Sequence, residues 1–185
     1  MSKYEELLNL KNEMEMDESL PLKKGAGKLV FGSGNMEAKI LLCGEGPGKN
    51  EDLQGLPFVG QAGKLLDKLL LISGLDRKKV FITNIVHHRP PENRDPLPNE
   101  IDSYGKYLDK IIEILDPKII ITLGRFSMNK FLPGVFISDA HGKSFKVGEY
   151  TIIPMYHPAA SLRNGKILEA EKADFEKLKD MVQLS

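Results

Sequence analysis

The strongest constraint on this chain is an alternation. Four short apolar runs, at 39–44, 80–85, 118–123 and 150–156, are separated by segments in which apolar residues recur at helical spacing. Short runs without polar alternation suit strands that are buried on both faces. Helices are expected over 4–16 (Tyr4, Leu7, Leu8 and Met14 inward), 60–73 (Ala62, Leu65, Leu66, Leu69, Leu70 and Ile72) and 98–115 (Ile101, Tyr104, Leu108, Ile111, Ile112 and Leu115). Two more are expected over 125–131 and 165–182, the last with Leu168, Phe175, Leu178, Met181 and Val182 inward. Residues 135–156 read as a small hairpin leading into the last strand. Strands that alternate with helices form right-handed crossovers, so the fold class is α/β with a parallel sheet covered on both faces.

In such a sheet, ligands bind beyond the carboxyl ends of the strands. The three most unusual loops, 44–60, 84–95 and 157–163, each follow a strand and should meet at one site. Composition narrows the class further. The 26 Lys and Arg balance 26 Asp and Glu, which argues against a protein that coats nucleic acid without specificity. That zero is an average: residues 1–18 hold two lysines against six acidic residues, whereas 141–168 hold Lys143, Lys146, Arg163 and Lys166 against Glu149 alone. The single Cys43 excludes an internal disulfide and any all-cysteine metal site. The longest apolar runs are too short to cross a bilayer, and the first residues lack an apolar signal core. The expectation is one domain over 1–185, with 1–28 as an N-terminal helix and loop, in a cytoplasmic monomer without a membrane segment.

Each loop admits a plain and a chemical reading. Gly44-Glu45-Gly46-Pro47-Gly48 can be a tight turn or a place where backbone amides approach a ligand; it matches neither phosphate-loop fingerprint. Phe58, between glycines and a proline, can plug the core or stack on a planar base. Asn84 at a strand end can start a turn or offer a donor and an acceptor to a nucleobase edge. His87 and His88 point apart in an extended chain and are poor partners for one metal ion. Arg89 and Arg94 can meet phosphates or merely solvate the loop. His157 can be structural or can donate to an oxygen that gains charge. Leu162 beside Arg163 can pack inward or wedge into a duplex.

Together these motifs closely resemble the family 4 uracil-DNA glycosylases of the uracil-DNA glycosylase superfamily. The resemblance rests on VFGSGN (30–35), GEGPGKNEDLQGLPFVGQAGKLLDKLL (44–70), VFITNIVHHRPPENRDPLPNE (80–100), IIITLG (119–124) and YHPAASLR (156–163). It implies a three-layer α/β/α sandwich with a short central parallel sheet. It also implies hydrolysis of the N-glycosidic bond of uracil in DNA, leaving an abasic site. By position, it places Phe58 against the flipped uracil, Asn84 at its polar edge, and His157 on the uracil oxygen. Glu45 and Gly46 would shape the pocket and the sugar side. Glu51 and Asn93 match positions that place or activate water. Arg89, Ser161, Leu162 and Arg163 would meet DNA.

Three departures stand out. The family usually carries four cysteines that hold a [4Fe–4S] cluster; the matching positions here are about Asp17, about Leu20, His88 and about Tyr104, so no cluster and no metal is expected. Ser161 stands where leucine is common. Gly46 stands where the best-known branch of the superfamily has its water-activating aspartate. The leading expectation is a metal-independent uracil-DNA glycosylase. The alternatives are a non-catalytic uracil- or damaged-DNA-binding protein of the same fold and a nucleotide-binding α/β protein.

Overall fold

The computed structural model describes residues 1–183. In chain order its main elements are α1 (Lys3–Met16), β1 (Ser33–Gly34), β2 (Ile40–Gly44), α2 (Lys49–Gln54), α3 (Gln61–Ile72), β3 (Phe81–Asn84), α4 (Pro98–Leu115) and β4 (Ile119–Leu123). They continue with α5 (Arg125–Phe131), α6 (Ile137–Ala140), β5 (Phe145–Val147), β6 (Tyr150–Met155), α7 (Pro158–Ser161) and α8 (Gly165–Gln183). The six strands lie in the order β1-β3-β2-β4-β6-β5. The four central strands are parallel; β1 and β5 pair antiparallel at the two edges.

Successive strand side chains point to opposite faces, so each central strand feeds two cores. On one face Leu41, Cys43, Phe81, Ile120 and Ile152 pack under α1 and α4. On the other, Leu42, Ile82, Ile121, Ile153 and Met155 pack under α3 and α8. The α/β expectation with both sheet faces covered therefore holds. Among the described residues no helix is long and apolar enough to cross a membrane.

Several local expectations need correction. The buried stripe of α1 is Leu7, Leu10 and Met14; Tyr4 and Leu8 are exposed, because only the Leu7–Leu10–Met14 face turns to the core. The expected hairpin over 135–156 is real only from β5 onward; 137–140 form the helical turn α6. The loops 44–60 and 157–163 each contain a short helix, α2 and α7. Helix α8 buries Glu171 and Asp174 beside Phe175 and Leu178. No apolar pattern announces those two acids, because their burial is made tolerable by polar partners elsewhere in the chain.

Candidate active site

Parallel strands bring the loops together as the topology requires. Gly44 ends β2 and Asn84 ends β3, and the two are directly paired in the sheet. β6 ends at Met155, so His157 emerges from the same edge. Glu45, Gly46, Glu51, Asn93, His157 and Arg163 share one cleft of about 330 Å³. Phe58 and Asn84 are buried beside it. The Phe58 ring stacks on the His157 imidazole, with centroids 5.7 Å apart and planes 28° apart. A Cβ at Gly44 would lie 2.4 Å from Asn84 Oδ1 and 2.7 Å from the Phe58 ring, so only glycine lets these two side chains close over the strand end.

Two buried oxygens in this group are unspent. Asn84 Oδ1 and Glu51 Oε2 have no hydrogen-bond partner among the described residues. Glu51 is nevertheless fixed, since its Oε1 accepts the Gly48 N–H at 3.1 Å at the start of α2. A buried acceptor without a partner costs stability, and at a cleft it is open to a ligand or to water.

His157 is neutral and oriented. Its Nδ1 accepts the Ala159 N–H at 3.0 Å, which leaves the ring proton on Nε2. Burial, assisted by the positive charge of Arg163, pushes its pKa down to about 4. Glu45 shows the opposite shift. Burial raises its carboxyl to about 7, against the opposing pull of the Phe126 N–H, which donates to Oε2 at 2.7 Å. Both shifts follow from placing an ionisable group where its charged form loses water.

The remaining sequence-derived candidates sort by exposure. Arg89 donates to Asn93 Oδ1 at 2.7 Å and so orients that amide on a turn where Asn93 adopts a left-handed backbone. Arg94, considered as a phosphate contact, is already paired in bidentate fashion with Glu100, at 2.9 and 2.6 Å. Leu162 and Arg163 project into solvent, Leu162 half exposed. Ser161 turns the other way: it is buried, and its hydroxyl donates to Glu171 of α8. Beside that pair, Asp174 holds His141 at 2.6 Å, and the His141 ring lies on Tyr156. Sequence reasoning missed this support beneath the 156–163 loop. Its only trace is a pair of acids, Glu171 and Asp174, on the apolar side of a helix.

The positions that match the four cluster cysteines do converge, but as an ordinary joint. His88 Nδ1 and the Tyr104 hydroxyl are 2.7 Å apart, and Leu20 is buried in the same hydrophobic core as Tyr104. Asp17 accepts the Tyr107 hydroxyl at 2.7 Å and Lys106 Nζ at 3.0 Å. The one thiol, Cys43, lies in β2, buried on the sheet, with its pKa pushed up to about 12 by burial. Among the described residues no group of three or more His, Cys, Asp or Glu is placed to hold a metal. These donors do not fit a [4Fe–4S] cluster, whose irons are held by cysteine thiolates.

The sequence model of the uracil DNA glycosylase superfamily matches residues 31–181. The Type-4 uracil-DNA glycosylase of Sulfurisphaera tokodaii is 44% identical over 162 residues, covering 82% of this chain and 74% of that protein. That of Archaeoglobus fulgidus is 41% identical, covering 86% and 85%. That of Thermotoga maritima is 38% identical, covering 97% and 96%.

Proposed function

Because the chain belongs to the uracil DNA glycosylase superfamily, we propose that it excises uracil from DNA by hydrolysing the N-glycosidic bond, without a metal or cluster. The observation that carries this reading is that Asn84 Oδ1, Glu51 Oε2 and the His157 Nε2–H all belong to loops and strand ends at the carboxyl edge of the sheet, two acceptors without a partner and one donor fixed by its tautomer.

A base inside a duplex is out of reach, so the nucleotide must swing out of the stack. Phe58 offers the flipped ring a face, and Asn84 its amide edge. Leu162 fills the space left in the duplex, while Arg163 and Arg89 meet backbone phosphates. When the C1′–N1 bond breaks, its electron pair stays on uracil, and the sugar becomes cationic. The His157 Nε2–H donates to the uracil oxygen where this charge collects. A neutral donor suits that task, since a fixed donor at a developing anion is worth about 3 kcal/mol. Glu51 Oε2 accepts a proton from water, whose oxygen adds to C1′; Asn93 helps to place that water. Glu45, when ionised, lowers the energy of the cationic sugar.

An oligonucleotide with a single uracil tests this directly. With EDTA present throughout, treatment with the protein and then alkali should cut the strand at the uracil, from a preparation with no stoichiometric iron. Intact strands from single- and double-stranded substrates would leave only a binding protein. Iron at stoichiometric level, with activity lost on its removal, would overturn the metal-free reading.

The pH profile separates the roles of Glu45 and His157. Glu45 is pushed up to about 7, so its carboxylate form grows as pH rises through that value. Single-turnover excision, followed from about pH 5.5 to 8.5, should climb and level off with an inflection near 7. His157, held down to about 4, adds no second inflection in that range. Glu45→Gln should flatten the rise; an unchanged profile in that variant removes Glu45 from the reaction.

A further inference from the structure

Phe58 has a backbone conformation that an aromatic residue rarely takes. Its φ is 51°, in the left-handed region that favours glycine. Such a residue persists only where its surroundings over-determine it. Here the restraint comes from one side chain, Arg77, in the turn after α3. Arg77 Nη1 donates to the Pro57 carbonyl at 3.1 Å, and Nη2 donates to the Phe58 carbonyl. Its Nε donates to Asp67 of α3 at 2.5 Å, which braces the guanidinium. On the other side, a Cβ at Gly63 would sit 1.9 Å from the Phe58 carbonyl oxygen, so α3 presses directly on the same peptide. The ring that this peptide carries lies over Gly44 and against His157. Arg77 itself does not line the cleft.

We infer that Arg77, braced by Asp67, is a positioning residue for the base-stacking platform, fixing the Phe58 backbone so that its ring faces the flipped base. The inference rests on the proposed glycosylase reading. The planar guanidinium is what makes the device work. It reaches two successive carbonyls and a carboxylate with rigidly spaced donors, which the single ammonium of lysine cannot do.

Three measurements on Arg77→Ala test it: single-turnover excision at saturating DNA, inhibition by free uracil, and affinity for duplex with an abasic-site analogue. Excision should fall roughly ten- to a hundredfold, the scale of a misplaced contact at a reacting centre. Inhibition by uracil should weaken by a similar factor. Affinity for the abasic duplex should stay within about twofold, because the base platform does not touch that ligand. Arg77→Lys should recover little. In a Phe58→Ala background, adding Arg77→Ala should cost nothing further, since the two act through one contact. Should Arg77→Ala not fold, Asp67→Asn should show the same pattern more weakly. Uracil inhibition equal to wild type, or a full additional loss in the Phe58→Ala background, would overturn the inference. A wild-type protein that leaves uracil in place overturns the functional reading instead.

Discussion

Alanine at position 157 lowers single-turnover uracil excision by roughly a hundredfold or more, the loss expected when one fixed donor to a developing anion is removed. The donor in question is the His157 Nε2–H, whose tautomer is set by the Ala159 N–H on Nδ1. The ring also stacks on Phe58, so the substitution removes a wall of the base pocket along with the donor. A stability loss of about 1 kcal/mol accompanies it, because His157 is the N-cap of α7. Rates must therefore be read below the melting transition of the variant. Asn84→Ala should lose at least roughly tenfold on the same assay, since it takes away the polar edge contact but leaves the donor. Wild-type rates in both variants would remove these residues from the site.

Gly44→Ala is the second large effect, and it acts without deleting any functional group. The added methyl would stand 2.4 Å from Asn84 Oδ1 and 2.7 Å from the Phe58 ring, inside a fully buried strand end. Phe58 is clamped through its carbonyl, and both side chains are buried, so making room means repacking them. Overpacking of this kind costs about 1–3 kcal/mol. Excision should fall by roughly a hundredfold, the penalty for a displaced contact at the reacting centre. Calorimetric melting and the oligonucleotide assay check the two parts separately. Near-normal excision in Gly44→Ala would mean that the base is seated somewhere other than between Asn84 and Phe58.

The contrast between these residues shows what the sequence makes legible. His157, Asn84 and Glu45 stand at the ends of apolar runs, and a parallel sheet brings its carboxyl ends together, so their meeting follows from topology. Gly44 stands in the same motif, yet its purpose depends on how closely Phe58 folds back, and that distance has no sequence signature. Arg77 is harder still. It is one cation among 26, separated from Phe58 by α3, and only the left-handed turn at Phe58 brings the two together. Glu171 and Asp174 are concealed differently: acids on a helix read as solvent-facing until Ser161 and His141 are seen beside them. The central strands could be placed because their apolar runs are unbroken, and the long helices because their apolar pattern repeats; the short helices α2, α6 and α7 have too few residues for a period.

The joint formed by Asp17, Leu20, His88 and Tyr104 has one more consequence. It ties α4 to two separate stretches of the chain, the N-terminal segment through Asp17 and Tyr107 and the loop after β3 through His88 and Tyr104. Its hydrogen bonds run between side chains of the chain itself. The Asp17–Tyr107 bond spans 90 residues of sequence, so the N-terminal segment cannot be fastened by it until α4 has been made.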